Sequence, residues 1–518
     1  MGDRPRFRRV RRSLLATGTA ALTACAAIAV SSPALAATQG PCDIYAAGGT
    51  PCVAAHSTTR ALYGSYNGSL YQVKRSSDSA TLNVGVLSTG GYANAAAQDS
   101  FCANTTCVIT VIYDQSGRGN NLTQGSGHWS GPAAGGKDNL AYANAVPVTV
   151  GGHKVYGVYI APGTGYHTAT ATNGVATGDQ PEGMYAIFDG SHSNGGCCFD
   201  YGNAEVSGND TGNGHMEAIY FGSNKSWGSG TGTGPWIMAD LENGLFSGVN
   251  RGFNANDPTI SNRFTTAVVK GEPNHWAIRG GDAQSGSLAT FYDGVRPTVS
   301  GYNPMSKEGT IILGVGGDNS NASAGTFYEG VMTSGYPSDA TENSVQANVV
   351  AAAYTTYSLA GLTVGSRISL RATTACCTGD YLRHDDADTK VVISPVSASS
   401  PAATKADATW IVRAGLANGS CVSFESADKP GQYLRHSGFE LYLNAGDGGS
   451  LFNSDATFCP HPGVSGQGYS FPSVNYSDHY IRHYNFTVYA ATDRGTNAWD
   501  TPNFWTADVS WIVASPWA

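Results

Sequence analysis

The sequence has 518 residues, of which 13% are charged, and its formal net charge is −9. An acidic chain lacks the basic surface that nucleic acids require, so nucleic acid is excluded as a partner. The 67 Gly, 27 Tyr and 9 Trp are typical of a secreted all-β protein with many turns, and the length predicts at least two domains.

The N-terminus has the three parts of a secretory signal. Six Arg residues between positions 4 and 12 precede an apolar run from Leu14 to Val30, and Ala34-Leu35-Ala36 forms a small-residue cleavage site. We therefore expect residues 1–36 to be removed and the mature protein, beginning at Ala37, to be secreted and extracellular. The Arg11-Arg12 pair leaves general secretion and twin-arginine export both open. No later segment has eighteen continuous apolar residues, so no membrane partner is expected.

Ten cysteines follow the signal, an even number in an oxidising compartment, and disulfides are expected. Proximity along the chain suggests four pairs and leaves a fifth: Cys42 with Cys52, Cys102 with Cys107, Cys197 with Cys198, Cys376 with Cys377, and Cys421 with Cys459. A bond between neighbours such as Cys197 and Cys198 would form a tight ring and an apolar platform, although unlinked or separately paired cysteines are the alternative. No Cys-x-x-Cys pair or neighbouring His supplies a zinc site, so no metal is predicted.

Residues 37–360 contain short β-like runs separated by Gly, Asn, Asp and Ser. Examples are Cys107–Tyr113, Gly183–Phe188 and Thr310–Gly314. Strands at this spacing predict a β-sandwich domain. Ser338 predicts the cap of a helix that runs towards Tyr357 and closes this domain, with residues 361–366 as the joint to the next.

The stretch from Trp236 to Phe246 is the first candidate for catalysis. Alternate side chains of a strand share a face, so one face would be apolar and the other would carry Trp236, Met238, Asp240 and Glu242. Two carboxylates placed in this way lie about 7 Å apart, near enough to influence each other's ionisation. A solvent-facing strand could carry the same charges, but the Trp and Met beside them favour the floor of a cleft.

A hydrolase of glycosidic bonds would need a second carboxyl group to protonate the leaving oxygen. Asp318, in Gly314-Val-Gly-Gly-Asp-Asn-Ser320, is the best candidate because a Gly-rich strand end lets a substrate approach closely. A plain turn Asp is the alternative, and Glu217 and Asp200 are rival carboxylates.

Residues 366–518 contain one phrase three times, about fifty residues apart: Tyr381-Leu-Arg-His384, Tyr433-Leu-Arg-His436 and Tyr480-Ile-Arg-His483. Roughly twenty residues after each phrase an Asp leads into an aromatic residue, at Asp407, Asp455 and Asp508. Three such units predict a β-trefoil, a pseudo-threefold barrel common among sugar-binding modules. The His and Asp side chains could simply hold each repeat together, but with the neighbouring Tyr they also offer the hydrogen bonds and apolar face that a furanose needs.

Together these elements resemble the α-L-arabinofuranosidase B family, glycoside hydrolase family 54, joined to an arabinose-binding module of carbohydrate-binding module family 42. Besides the repeated phrases, the matching stretches are Tyr113–Gly117, Gly119–Leu122, Gly195–Gly202, Asp210–Tyr220, Trp236–Phe246 and Gly316–Asn319. The resemblance implies a retaining, exo-acting enzyme that releases terminal non-reducing α-L-arabinofuranosyl residues without a cofactor. Its partners would be arabinoxylan, arabinan and arabino-oligosaccharides of the plant cell wall, and a monomer is expected.

The resemblance also implies roles for single residues. Glu242 matches the nucleophile and Asp318 the general acid/base, about 5–5.5 Å apart in a retaining enzyme. The sugar subsite would be formed by Cys197, Cys198, Trp227, Asp240, Asn243, Gly244 and Gly317. The module's arabinofuranose sites would use His436, Gly438, Phe439 and Asp455, and His483, Asn485, Val488 and Asp508, whereas His384 with Asp407 matches in pattern alone. Two alternatives stay open: a non-catalytic arabinose-binding lectin, and a glycosidase of other specificity such as a β-xylosidase.

Overall fold

The computed structural model describes residues 1–2, 39–103, 105–127, 132–133, 135–168, 170, 173–357, 361–465, 467–493 and 495–518. Apart from its first two positions, the predicted signal segment lies outside the described residues. Every element named below belongs to the unit Ala37–Ala518.

Strands dominate residues 39–357. They are β1 (Cys52–Ser57), β2 (Ser69–Arg75), β3 (Thr81–Gly85), β4 (Cys107–Ile112), β5 (Leu122–Gln124), β6 (Val146–Val150), β7 (His153–Ile160), β8 (Tyr166–His167), β9 (Glu182–Ser193), β10 (Asp200–Ala204), β11 (Glu217–Gly222), β12 (Ser229–Thr231), β13 (Trp236–Asp240), β14 (Leu245–Phe246), β15 (Phe253–Pro258), β16 (Phe264–Glu272), β17 (His275–Asp282), β18 (Ala289–Gly294), β19 (Thr310–Leu313), β20 (Gly325–Ser334) and β21 (Tyr354–Thr356).

Strands also dominate residues 361–518. They are β22 (Arg367–Ala372), β23 (Asp380–His384), β24 (Val391–Pro395), β25 (Trp410–Ala414), β26 (Val422–Ser426), β27 (Gln432–Ser437), β28 (Glu440–Ala445), β29 (His461–Pro462), β30 (Tyr469–Ser470), β31 (Tyr480–Tyr484), β32 (Thr487–Ala491) and β33 (Trp511–Ala514). The α-helices of the described residues are short: α1 (Pro41–Ala47), α2 (Ala95–Phe101), α3 (Asp339–Ala351), α4 (Ala402–Asp407), α5 (Ser450–Asp455) and α6 (Trp505–Asp508). The prediction of a mainly β chain is confirmed.

Two large sheets make up most of residues 39–357. One has the strand order β18-β17-β16-β9-β20-β7-β6-β21, with β1 also paired to β20; the other has the order β14-β13-β11-β10-β19-β8-β5-β4-β2-β3. The sheets pack face to face, because Phe188 of β9 lies 5.1 Å from the ring of Phe199 and 5.5 Å from the ring of Phe221 on β11. Strand β9 is buried along most of its length, as expected of a central strand that is covered on both faces.

The predicted helix exists but ends earlier than expected. The side chain of Ser338 accepts a hydrogen bond from the N–H of Thr341 and caps α3, which stops at Ala351. Ala353 adopts a positive φ of 54°, which ends the helical path. Tyr354 then begins β21, where it is buried and pairs with Val150 of β6.

The three repeated phrases form three equivalent hairpins: β23–β24, β27–β28 and β31–β32. The second residue of each phrase (Leu382, Leu434 or Ile481) is fully buried in one shared core. The aromatic residue that follows each Asp (Trp410, Phe458 or Trp511) is fully buried in the same core. The repeats therefore share a scaffold as well as a sequence pattern.

Disulfides join the cysteines in the five expected pairs: Cys42–Cys52, Cys102–Cys107, Cys197–Cys198, Cys376–Cys377 and Cys421–Cys459. None of the helices in the described part of the chain combines the length and apolar character needed to cross a membrane.

Candidate active site

A cavity of about 130 Å³ brings most of the predicted site residues together. Both predicted catalytic residues and six of the seven predicted sugar-binding residues line it. The lining consists of Cys197, Cys198, Asp210, Met216, Trp227, Asp240, Glu242, Asn243, Gly317, Asp318 and Ser320. Gly244, the seventh, lies in the same turn as Glu242 but outside this lining.

Glu242 enters the cavity from a tight turn. Strand β13 ends at Asp240, which pairs with Leu245 of β14. The N–H of Glu242 donates to Oδ1 of Asp240 at 2.9 Å, and Glu242 has a φ of 80°, in the left-handed region that few non-glycine residues adopt. The strand prediction was correct as far as Asp240 and wrong for Glu242, because the hairpin turns two residues earlier than the alternating pattern suggests.

Three backbone N–H groups hold the carboxylate of Glu242. Thr211 and Gly212 donate to Oε1 at 2.5 and 3.0 Å, and His215 donates to Oε2 at 3.2 Å. The side chain is only 3% exposed. Hydrogen bonds from three N–H groups compensate for the loss of water around a buried negative charge and fix the orientation of the carboxylate.

Asp318 comes from a different segment of the chain and lies in the turn after β19. Its Oδ1 accepts a hydrogen bond from the N–H of Ser320 at 2.8 Å, and its side chain is half-buried. The residue before it, Gly317, has no room for a side chain, because a Cβ there would overlap Oε2 of Glu205 and Sδ of Met216. The glycine therefore lets this wall of the cavity pack directly on Glu205.

Two further acids, Glu205 and Asp200, are completely buried beside the cavity residues. Among the described residues, no N–H or neutral O–H donates to either carboxyl group. Burial, and then the hydrogen bond to Glu242 and its charge, raise the pKa of Glu205 to about 11. Burial, and then the neighbouring Asp240, raise the pKa of Asp200 well above its usual range. With a pKa of about 11, Glu205 keeps its proton at neutral pH and is the donor of its hydrogen bond to Glu242.

Asp240 is the intermediate member of this acidic group. It is 4% exposed, and burial is the main reason that its pKa rises to about 8. Hydrogen bonding with Asp200 and with the N–H of Glu242 partly offsets that effect. Asp240 thus connects the strand end to the turn that carries Glu242.

The Cys197–Cys198 disulfide forms an apolar wall, and the peptide bond between the two residues is cis. Cys198 is buried against Tyr220, Trp236 and Met238, whereas Cys197 is only partly buried. Trp227, which is 36% exposed, adds an aromatic surface to the same cavity. An apolar wall beside a few fixed polar groups is the composition of a small-molecule site.

The rival carboxylate Glu217 has a structural role. It is fully buried and contacts Arg296 at 2.7 Å and Lys307 at 3.0 Å. Burial alone would raise its pKa, but these two cations lower the pKa to about 2. Glu217 is therefore an ionised partner inside the fold and lies outside the cavity lining.

The repeated phrases build three similar pockets in residues 361–518. In each, Nε2 of the His lies 3.5–3.7 Å from an oxygen of the Asp: His384 with Asp407, His436 with Asp455, and His483 with Asp508. The Arg of the phrase contacts the second oxygen of the same Asp in the second and third repeats, at 3.1 and 2.9 Å. The Arg thus anchors the Asp, which leaves the His and the first Asp oxygen at the pocket surface.

The other predicted sugar contacts of the module lie in a turn, in a pocket lining or in the core. Gly438 and Phe439 form the turn after His436, and the Phe439 ring lies parallel to the His436 ring at 6.3 Å. Asn485 lines the third pocket. Val488 pairs with His483 across the hairpin, and its side chain is fully buried in the core. Burial lowers the pKa values of His436 and His483 although Asp455 and Asp508 oppose it, so both rings are neutral at neutral pH.

Several residues of the site were missed by sequence reasoning. Asp210, Met216 and Ser320 line the cavity, and Glu205 lies beneath it. Asp210 and Met216 are in a stretch that carries the family resemblance, which could have identified them. No local pattern marks Glu205, because its role depends on its burial against Glu242.

The cavity thus holds a buried carboxylate with fixed hydrogen bonds and a second, half-buried carboxyl group, beside an apolar wall. Two carboxyl groups around a small sugar-sized space are what hydrolysis of a glycosidic bond requires.

Comparison with known proteins gives matches over both halves of the chain. Residues 41–355 match the family described as "Alpha-L-arabinofuranosidase B, catalytic", and residues 370–513 match the "Alpha-L-arabinofuranosidase B (ABFB) domain". An alpha-L-arabinofuranosidase of Hypocrea jecorina is 62% identical over 483 residues, which cover 92% of this chain and 96% of the relative. An "Arabinofuranosidase/B-xylosidase" of Trichoderma koningii is 61% identical over 483 residues, with the same coverage of 92% and 96%.

Solved structures are similar over nearly the same length. A crystal structure of an arabinofuranosidase complexed with arabinofuranosyl-alpha-1,2-xylobiose is 56% identical, with a TM-score of 0.82, and the match covers 93% of this chain and 100% of that one. A structure of a glycoside hydrolase family 54 α-L-arabinofuranosidase soaked with a cyclic sulfate inhibitor is 57% identical, with a TM-score of 0.83 and the same coverage.

Proposed function

The chain belongs to the α-L-arabinofuranosidase B family and is an α-L-arabinofuranosidase, and on that premise we propose that it is a secreted, retaining, exo-acting enzyme. Its substrates are polysaccharides that contain arabinose, and we propose terminal non-reducing arabinofuranosyl residues of arabinoxylan and arabinan as the units that it releases. The observation that carries this proposal is the meeting of Glu242 and Asp318 in one cavity of about 130 Å³. That volume is below the ~300 Å³ of pockets for drug-sized ligands, which favours a single terminal sugar.

The proposed mechanism is a double displacement. An oxygen of the Glu242 carboxylate attacks the anomeric carbon, while Asp318 gives its proton to the glycosidic oxygen, which departs with the rest of the polysaccharide. The bond between the anomeric carbon and that oxygen breaks as the ester to Glu242 forms. Asp318, now a carboxylate, takes a proton from water, whose oxygen attacks the anomeric carbon. Arabinose leaves, and Glu242 and Asp318 regain their first protonation states.

The neighbouring residues support this division of roles. Glu242 is held by three N–H groups and by the protonated Glu205, as suits an anion that must keep one orientation. We propose that Asp240, Asn243 and the backbone at Gly317 bind hydroxyl groups of the sugar. The Cys197–Cys198 ring and Trp227 would cover its apolar face. We also propose that the backbone of Gly244 contacts the sugar.

We propose a β-sandwich catalytic domain over residues 37–360 and a β-trefoil module over residues 366–518. The two packed sheets support the first. The second is supported by the three hairpins, two of which pair with the third through Val392 with Thr487 and Glu440 with Tyr489.

The module would bind arabinofuranosyl branches of the same polysaccharides. The His436–Asp455 and His483–Asp508 pockets are the proposed sites. The His384–Asp407 pocket differs from both, because Lys429 contacts Asp386, which in turn contacts His384.

We propose that the enzyme acts as a monomer without a cofactor or metal, and that its N-terminal signal directs export.

The reaction can be tested by following two substrates with single substitutions. Glu242→Gln is expected to lower turnover of both arabinoxylan and 4-nitrophenyl α-L-arabinofuranoside by orders of magnitude. Asp318→Asn is expected to lower kcat/KM for arabinoxylan by about 10²–10⁴, the usual contribution of a general acid. The loss on the nitrophenyl substrate should be smaller, because nitrophenolate leaves without a proton. Asp447→Asn, at an exposed site in the module, is the control.

Normal turnover in both catalytic variants would contradict the proposal, and no turnover in the unmodified chain would favour a lectin. A second activity, that of a β-xylosidase, is suggested by the name of the Trichoderma koningii relative. The products released from arabinoxylan distinguish an arabinofuranosidase from a β-xylosidase. Xylose released without arabinose would overturn the substrate assignment.

A further inference from the structure

Each module pocket is completed by a hydroxyl group from a different repeat. Nε2 of His384 lies 3.4 Å from Oγ of Ser426, Nε2 of His436 lies 3.1 Å from Oγ of Ser473, and Nε2 of His483 lies 2.9 Å from Oγ1 of Thr374. These three hydroxyl residues therefore occupy equivalent places. The residues that follow them can be compared position by position.

The position two residues after the hydroxyl is polar in the first two pockets. Asp428 contacts His384 at 3.0 Å, and Asn475 contacts His436 at 3.1 Å and donates to Asp455 at 2.8 Å. In the third pocket the same position is Cys376, which is bonded to Cys377. The disulfide thus replaces a polar side chain with an apolar surface, and Thr374 donates to Oδ1 of Asp508 at 2.8 Å.

The position three residues after the hydroxyl residue explains why a Phe ring is covered in the second pocket and exposed in the third. In the second pocket it is Tyr476, whose ring lies 5.1 Å from that of Phe439, and His479 stacks on the same Phe439 ring at 4.7 Å. Phe486, in the corresponding turn of the third repeat, is 60% exposed. Since Cys377 is much smaller than Tyr, it leaves the Phe486 ring uncovered.

Phe504 adds another exposed ring to this site. It is 76% exposed and, like Phe486, has a positive φ, at 57° and 66° respectively. Large apolar side chains rarely combine such exposure with this backbone conformation, and exposed apolar patches often mark ligand-binding grooves. Both rings line one cavity with the Cys376–Cys377 ring, His483 and Asp508.

That cavity has a volume of about 540 Å³, against about 130 Å³ for the catalytic cavity. The polar groups that could anchor a terminal sugar, His483 and Asp508, occupy only one part of it. Another part of the wall, formed by the Cys376–Cys377 ring, Phe486 and Phe504, is apolar and suits the C–H face of another sugar residue.

We propose that the Cys376–Cys377 ring, Phe486 and Phe504 form an apolar subsite that binds the sugar residue to which the terminal arabinofuranosyl unit is attached. This inference rests on the proposed function of the His483–Asp508 pocket as the site of the terminal unit. It predicts that the third pocket prefers a branched oligosaccharide to a single arabinofuranose, whereas the second pocket, where Tyr476 fills the equivalent space, does not.

The test uses the full chain with Glu242→Gln to prevent hydrolysis and with Asp407→Ala and Asp455→Ala to disable the other two module pockets. Binding of methyl α-L-arabinofuranoside and of arabinofuranosyl-xylobiose is measured by calorimetry. The same protein with Asp508→Ala added defines the binding that remains at the catalytic site. The difference between the two proteins is the binding of the third pocket.

Phe504→Ala in this background is expected to weaken third-pocket binding of arabinofuranosyl-xylobiose roughly three- to tenfold, as expected for the loss of one aromatic contact. Binding of the methyl glycoside should change less than twofold. Replacement of both Cys376 and Cys377 by Ser should give the same selective loss. Leu451→Ala, which removes an apolar side chain that is 69% exposed elsewhere in the module, is the matched control.

An equal loss for both probes, or no loss for either, would overturn the subsite. Because Phe504 is so exposed, its removal tests the idea even if the Ser variants fold poorly. If Asp508→Ala changes binding of neither probe, the pocket does not bind sugar and the proposed function of the module fails instead.

Discussion

Glu205 shows at the level of a single residue how a buried acid can serve a neighbouring one. It packs under Gly317, keeps its proton and donates a hydrogen bond to the carboxylate of Glu242. Its folded pKa of about 11 is far above the ordinary value of 4.5. Below pH 4.5 both the folded and the unfolded chain hold this proton, but at higher pH only the folded chain does. The contribution of Glu205 to stability is therefore complete at low pH and falls as the pH rises towards 11.

Glu205→Gln should change this pH dependence, because the amide keeps an N–H donor but does not titrate. We expect the variant to gain stability relative to the unmodified protein between pH 5 and pH 8, with a slope of up to about 1.4 kcal/mol per pH unit. Melting temperatures of both proteins across this range measure the difference.

Asp78→Asn, which makes the same change from acid to amide at an exposed site, is the control for that comparison. The hydrogen bond from Arg75 lowers the pKa of Asp78 to about 2, so this carboxylate is ionised in the folded and the unfolded chain above pH 5. The stability difference caused by Asp78→Asn should therefore stay constant between pH 5 and pH 8. A flat difference for Glu205→Gln as well would show that Glu205 does not hold its proton.

At the level of elements, a buried tryptophan is hydrogen-bonded to the hairpin of the first repeat and another to that of the third. The indole N–H of Trp410 donates to the carbonyl of Leu382 at 3.0 Å, and that of Trp511 donates to the carbonyl of Ile481 at 2.9 Å. Both indoles are fully buried. Each therefore joins the core of the repeat to the backbone of its Tyr-Leu-Arg-His or Tyr-Ile-Arg-His phrase.

Trp511→Phe should lower the free energy of unfolding by roughly 1–3 kcal/mol, because it leaves the buried carbonyl of Ile481 without its donor. The midpoint of urea unfolding measures the loss. Trp227→Phe removes the same N–H from a partly exposed side chain and should have little effect. Equal midpoints for the two variants would contradict this role of Trp511.

The sequence predicted these elements well where a repeat or a long alternating pattern exists. The three phrases located the hairpins, and the strand from Trp236 was correct up to Asp240. The turn that follows was not predicted, because it depends on the pairing of β13 with β14 and on the hydrogen bond from Glu242 to Asp240. Likewise, the placement of Cys376 beside His483 depends on the contact between the first and third repeats, more than a hundred residues apart in sequence.

At the level of the whole molecule, the module and the catalytic domain share packed contacts. The hydroxyl group of Tyr159 donates to the carbonyl of Val474 at 2.9 Å, and Asn144 contacts His461 at 3.2 Å. The Cys421–Cys459 disulfide is buried in the same apolar cluster as the sandwich core. The module is therefore held to the catalytic domain by its second and third repeats as well as by residues 361–366.

This arrangement predicts a difference between soluble and insoluble substrates. Asp455→Ala combined with Asp508→Ala should lower the rate on insoluble arabinoxylan roughly tenfold or more, because attachment through several weak sites raises the local substrate concentration. The rate on 4-nitrophenyl α-L-arabinofuranoside should not change. Equal losses on both substrates would point to damage to the fold, and no loss on either would contradict a binding role for the module.

In the proposed mechanism, Glu242 forms a covalent bond to the sugar while Asp318 transfers the proton. Asp318→Asn slows the second step, since its side chain cannot take a proton from water. A rapid quench of this variant with an aryl α-L-arabinofuranoside, followed by mass spectrometry of its peptides, should therefore find one arabinofuranosyl unit attached to Glu242. An adduct on another residue, or rapid aryl release with no adduct, would contradict the assignment of Glu242 as the nucleophile.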